Sequence, residues 1–219
     1  MHETTQITYG EGTITVSMSS ESLTEVSAPD VRFGSYNDAV TACFTARELE
    51  IISAGTDAEV SFNFVMRDEL ADPAEEKLFD KAIAKAEKVN GPLHKGVFYD
   101  VMASKSIGGD TAVDLENFYD AVEMQFEIPL YLVAEDRYYY VMTNEKGVCI
   151  LTDDIDEDAD TLSVSTGEIG TTAILYQTDE ETLVKQDTTF HIRSHHLFIA
   201  GIVLLAIAWF VIDRSHRKA

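Results

Sequence analysis

Short runs that alternate apolar with polar residues, turn residues between those runs, and one long uncharged stretch near the end predict the fold class. It is a mainly β protein, an immunoglobulin-like antiparallel β-sandwich with one or two inserted helices, plus a C-terminal transmembrane helix. Residues 12–18 place Ile14, Val16 and Met18 on one face and Thr and Ser on the other. Residues 58–66 do the same with Val60, Phe62 and Phe64, and residues 122–128 with Val122, Met124, Phe126 and Ile128. Residues 96–103 are rich in strand-forming side chains. Residues 137–143 and 147–152 flank a hairpin-like turn at 144–146, and residues 161–165 and 171–177 are expected to form a last pair.

Two segments read as helices. In residues 45–53 (TARELEIIS), Thr45 and Glu48 have capping-box spacing and Gly55 supplies a stop. Residues 72–89 carry a fuller set of signals. Asp72 is suited to cap, Pro73 to the first helical position, and Glu75 and Glu76 to the first turn. Leu78, Ala82, Ala86 and Val89 make an apolar stripe that Phe79 and Ile83 widen, and Asn90-Gly91-Pro92 ends it. This helix is expected to lie across an open face or end of the sheets.

The chain has 219 residues, with 39 acidic against 16 basic side chains and a net charge of −23. That balance excludes a nucleic-acid binder, which needs clustered cations to neutralise phosphates. Two cysteines are too few for a disulfide scaffold or a four-cysteine zinc site. Residues 197–212 (LFIAGIVLLAIAWFVI) hold sixteen residues without a charge. As a helix they would extend roughly 24 Å, short of a bilayer core of about 30 Å but within reach of snorkelling flanks. Trp209 near one end and Arg214, Arg217 and Lys218 beyond it suit an interface. A buried core helix is the competing reading; the run is terminal and apolar on every face, which favours a span.

The expected organisation is therefore an acidic β-rich extracellular domain over 1–184, with about 1–90 and 91–184 as a finer division. A polar tether (185–196), the membrane span (197–212) and a short basic cytoplasmic tail (213–219) follow. Three basic residues after the span against Lys185 and Arg193 before it lean towards a cytoplasmic C-terminus. Residues 1–196 carry 13 basic and 38 acidic side chains, a net −25, so the domain is expected to stand off anionic lipid. Residues 1–10 (MHETTQITYG) lack the charged-then-apolar pattern of an export leader. Three readings stay open there: a longer precursor, a misplaced start, or a tail-anchored protein with its domain in the cytoplasm.

The second half carries a resemblance. Its order is GVFYDVMASKSIGG (96–109), VEMQFEIP (122–129), RYYYVMTNEKGVCIL (137–151) and DADTLSVSTGEIGTTAILYQ (158–177), preceded by TARELEIISAGTDAEVSFNF (45–64). This resembles a β-sandwich module common in surface proteins of Gram-positive gut bacteria, over roughly residues 40–177. In that family a strand ending in a tyrosine- or phenylalanine-aspartate step, a strand ending at proline and a closing strand pair recur. Thr171-Thr172-Ala173-Ile174 departs from the family's Ser-Thr-Tyr-Ala. The resemblance implies a stalk- or adhesin-like module of a larger wall-associated protein, with a glycan or protein as the ligand to be sought. No sortase signal precedes residue 197, so covalent wall attachment is not implied, and no catalytic residue comes with the family.

Several constellations invite chemistry. Asp153, Asp154, Asp156, Glu157, Asp158 and Asp160 form an acidic run. Counted from Asp154, an EF-hand would need glycine where Ala159 stands and glutamate where Ser165 stands, so a solvated turn is the simpler reading and a weak calcium site the other. His191, His195 and His196 have helical metal spacing but read as a polar flank of the span. Cys43 and Cys149 read as two buried thiols, with a single disulfide as the alternative if the domain is outside. Tyr138 and Tyr140 share one strand face and Tyr139 takes the other, part core and part surface, though the triplet has the makings of a carbohydrate-stacking surface. Residues 108–110 (GGD) read as a turn. There is no nucleophile-elbow, zinc-protease, phosphate-loop or dinucleotide motif. The expectation is a non-catalytic membrane-anchored surface module with no catalytic, metal or cofactor site; the alternative is a sensor or regulatory ectodomain on a single span.

Overall fold

Period-two alternation builds two sheets around one core. The computed structural model describes residues 2–178 apart from Pro29, Asp156, Glu157 and Ala159. In chain order come β1 (His2–Tyr9), β2 (Gly12–Ser22), β3 (Val31–Phe33), α1 (Tyr36–Thr41), α2 (Ala46–Ser53), β4 (Ala58–Arg67) and α3 (Pro73–Asn90). There follow β5 (His94–Ile107), β6 (Val113–Asp114), β7 (Asn117–Glu127), β8 (Arg137–Glu145), β9 (Val148–Asp153), β10 (Thr161–Glu168) and β11 (Thr171–Thr178). The larger sheet has the order β1-β2-β4-β5-β11-β8-β9, with β6 on β5; the smaller is β10-β7-β3. Strands on both sides of residue 90 share both sheets, since β4 pairs with β5 and β3 with β7.

The inward row of the large sheet is the one the alternation marks. Ile14, Val16, Val60, Phe62, Phe64, Tyr99 and Val101 meet Phe118, Val122, Met124, Phe126, Leu162 and Val164 of the small sheet in one buried cluster. The residues in between face outward and would be exposed without cover. Phe98, Met142, Ala173 and Leu175 gain that cover from Phe79 and Ile83 of α3. The Phe79 and Phe98 rings meet edge to face at 5.6 Å. The large sheet is therefore packed on both faces at β5, β11 and β8, which explains the nearly continuous buried run of β11.

Three helices form where one or two were expected, the addition being α1, whose N-cap Ser35 accepts from Asp38 N. The helix ends form as their capping residues dictate. The Thr45 hydroxyl accepts from Glu48 N, and the Glu48 carboxylate accepts from Thr45 N at 2.7 Å, a reciprocal capping box. Asp72 Oδ1 accepts from Ala74 N at 2.9 Å, with Pro73 in the first turn. Asp72→Ala should lower stability by about 1 kcal/mol, read as a fall in thermal midpoint. An unchanged midpoint would mean that α3 is held by packing alone.

Two expectations about pairing need correction. The large sheet is mixed: β2 and β4 run parallel, Val16 opposite Val60, while the other strand pairs are antiparallel. Parallel neighbours need a long crossover, and the segment holding β3, α1 and α2 supplies it. Second, residues 161–165 and 171–177 do not pair with each other. β10 joins β7, Val164 opposite Met124, whereas β11 lies between β5 and β8, Ile174 opposite Val97 and Val141. The chain changes sheets at 169–170, because β11 can bury two faces only in the layer that α3 also covers.

Two glycines are forced. The β8–β9 turn is two residues long, Lys146-Gly147, both at positive φ (50° and 88°), as a tight hairpin matched to strand twist requires. A Cβ at Gly12 would lie 2.2 Å from Ile52 O, so the close approach of α2 to the β1–β2 hairpin excludes a side chain there. Among the described residues no helix is long and apolar enough to cross a membrane. The run at 197–212 lies outside them.

Candidate functional site

The inward row of β5 ends on a charge. After Val97, Tyr99, Val101 and Ala103 the next inward position is Lys105, its side chain only 10% exposed. A buried ammonium requires a partner. Glu48, held in place by the α2 capping box, reaches it at 2.6 Å. The Lys105 ammonium also lies 4.9 Å over the Tyr119 ring and 5.4 Å over the Phe44 ring. Burial pushes the Glu48 carboxyl up, but the Lys105 and Thr45 donors together outweigh it and hold the group below its ordinary range. The ion pair thus joins α2 to the rim of the large sheet.

A second polar node sits on the outer face, near the start of α3. Arg67 Nη2 donates to Asp100 Oδ2, and Thr171 Oγ1 donates to Asp100 Oδ1 at 3.3 Å. Asn144 Nδ2 donates to Glu75 Oε1 at 3.1 Å. Burial raises the Asp100 carboxyl; Arg67 and Thr171 oppose this and Glu75 reinforces it, leaving the group above its usual value. Both nodes bind their charges to each other, which suits structural clamps.

The sequence-derived candidates fall apart in space. Asp154 Oδ1 accepts from Ser163 N at 2.9 Å, and Asp160 O accepts from Ile128 N at 2.7 Å. These parts of the acidic run tie down the β9–β10 connection; Asp156 and Glu157 lie outside the described residues. Among the described residues no group of three or more His, Cys, Asp or Glu side chains is placed to hold a metal. His191, His195 and His196 lie outside them. Tyr139 packs against the inter-sheet core and donates its hydroxyl to Leu132 O at 2.6 Å. Tyr140 packs under α3, and Tyr138 is exposed. Residues 108–110 form the expected turn.

Cys43 and Cys149 are both free thiols, Cys43 buried as expected but Cys149 only half-buried. Cys43 belongs to the cluster between the sheets and Cys149 packs against the cluster under α3, so the large sheet separates them and the disulfide alternative falls. Burial pushes Cys43 up to about 12, against the pull of Lys105. It pushes Cys149 up to about 11, with Glu75 adding to the shift. At pH 8 about one in ten thousand and one in a thousand are thiolate, so both should resist iodoacetamide until the fold is opened with denaturant. Alkylation followed by mass spectrometry checks this, and rapid labelling of Cys43 in the native state would contradict the packing.

A cleft of about 560 Å³ lies between the loops at 23–30 and 128–136. Val26, Ala28, Ile128, Pro129, Leu130 and Tyr131 give it apolar walls. Leu130 is 88% exposed, and two other large exposed side chains, Val26 and Tyr131, line the same cleft. The Tyr131 hydroxyl donates to Asp68 Oδ1 at 3.4 Å. Sequence reading passed over this cleft because its parts lie about a hundred residues apart, although the apolar run at 128–133 inside a connection was a visible signal. Lys105 was legible too, as the fifth member of an alternating row.

No protein-family model, curated protein or solved structure matches the chain.

Proposed function

We propose that the chain is a non-catalytic, membrane-anchored cell-surface module of stalk or adhesin type, with an immunoglobulin-like β-sandwich displayed outside a bacterial membrane by one C-terminal span. The observation that carries this reading is the uncharged run at 197–212 followed by Arg214, Arg217 and Lys218. The segregation of charge supports it, −25 over residues 1–196 against +2 over 197–219. The two-sheet architecture supports it as well, because a sandwich closed around its own core suits a displayed module. The resemblance over 40–177 points the same way. On this reading residues 185–196 tether the domain to the span, and the module recognises an extracellular protein or glycan.

Protease added to intact cells expressing the complete native gene should cut the tether at 185–196 and release the acidic domain into the medium. The span fragment should remain in the membrane pellet after alkaline extraction. A domain protected until lysis is the result that would place it in the cytoplasm and end the surface reading.

A further inference from the structure

The β2–β3, β4–α3, β7–β8 and β9–β10 connections all emerge at one end of the domain. Register places them there, since Met66 pairs with Tyr99, Thr178 with Arg137, and Thr161 with Glu127. The cleft of about 560 Å³ opens at this end, and carboxylates stand on and beside the loops that form it. Glu127 lines it, Asp68 holds the Tyr131 hydroxyl, and Glu25, Glu135 and Asp136 stand on the same loops. None of these five carboxylates has an ion-pair partner among the described residues. Of the nearby cations, Arg32 and Arg67 are ion-paired, whereas Arg137 has no carboxylate partner among the described residues. Arg32 pairs with Asp30, Arg67 with Asp100, and Arg137 donates to Leu132 O while lying over the Tyr176 ring.

A second observation lies behind the cleft. Tyr99 is fully buried and its ring rests 5.1 Å from Phe126, yet its hydroxyl has no hydrogen-bond partner among the described residues. A buried hydroxyl left unsatisfied costs free energy. The charged or ionisable groups acting on it are Tyr131 and Glu127, both of which line the cleft. Tyr99 itself does not line the cleft; it is linked to it only through the charges of Tyr131 and Glu127.

We propose that this cleft is a binding site for a cationic, extended peptide segment. An apolar side chain of the segment would fill the space between Val26, Ile128, Leu130 and Tyr131. Flanking ammonium or guanidinium groups would meet the carboxylates beside it. Charge selects the partner: an acidic or phosphorylated segment would bring like charge onto unneutralised carboxylates, and a neutral sugar would leave their field unused. This goes beyond surface display and holds whichever side of the membrane the domain occupies.

The test uses the full chain in phosphatidylcholine nanodiscs, with empty discs as reference, and a fluorescein-labelled heptapeptide alternating lysine and leucine. Two control peptides replace leucine by serine or lysine by glutamate. The lysine–leucine peptide should bind at least about tenfold more tightly than either control. Leu130→Ser should remove about tenfold of that affinity, and the 88% exposure of Leu130 means the variant keeps its fold. Asp68→Asn and Glu127→Gln should each weaken binding about threefold and flatten its dependence on salt. Equal binding of the lysine–serine peptide would show a diffuse acidic field without a site. Full binding in Leu130→Ser, or no binding above empty discs, would equally overturn the proposal.

Discussion

Phe62→Ala is expected to lower the unfolding free energy by about 4 kcal/mol. Phe62 is 1% exposed at the middle of β4. Its ring meets Phe33 of β3 at 4.7 Å and Phe118 of β7 at 6.3 Å. It therefore joins the large sheet to two strands of the small one. Truncation removes the burial of the ring and leaves a void that three strands cannot all close around. Urea unfolding followed by near-ultraviolet circular dichroism should show a lower midpoint with an unchanged slope. A loss below about 1 kcal/mol would mean that the two sheets do not pack against each other through this side chain.

Glu48→Gln is expected to cost about 2–3 kcal/mol, below the usual range for a fully buried pair because Glu48 keeps some contact with solvent. The amide preserves the bonds to Thr45, so the capping box survives and the loss reports the charge on Lys105. Lys105→Met should cost less, since the methionine stem still fills the space between Phe44 and Tyr119. The double variant should regain most of what Glu48→Gln loses. The pH dependence has a definite sign. The folded state holds Glu48 below its ordinary pKa of 4.5, so its stabilisation is complete above that value. It disappears as pH falls through the depressed folded-state value. The stability gap between the parent and Lys105→Met should therefore be full at pH 6 and narrow as pH falls below the ordinary value of 4.5. A gap that stays constant from pH 6 to pH 3 would show that packing, and not the ion pair, holds Lys105.

Local features were legible where their cause lies within a few residues. The α2 capping box needs only Thr45 and Glu48, three positions apart, and both halves form as read. Asp72, Pro73 and the stripe through Phe79 and Ile83 specify α3 in the same way. Strand faces were legible for the same reason: Val60, Phe62 and Phe64 share a side whichever strand lies next to them. Other strands escaped notice. β1 reads HETTQITY, with no clean apolar row, because an edge strand needs only one neighbour and little burial. β3 is three residues long and exists because β7 offers it a partner.

What the sequence determined by itself was the material of the fold: mainly strands, two capped helices, an acidic domain and an uncharged terminal run. Each of these depends on composition or on residues close in the chain, where alternation and capping act directly. Only the tertiary structure decided which strands meet. It set β2 parallel to β4, sent β10 and β11 to different sheets, placed Cys43 and Cys149 on opposite sides of one sheet, and brought Glu48 to Lys105. It also joined the loop holding Val26 to the loop holding Leu130 to make a cleft. Backbone hydrogen bonds are nearly alike for any two strands, so local pattern cannot choose between partners. That choice falls to the burial of whole faces, and a face is completed only when distant segments arrive together.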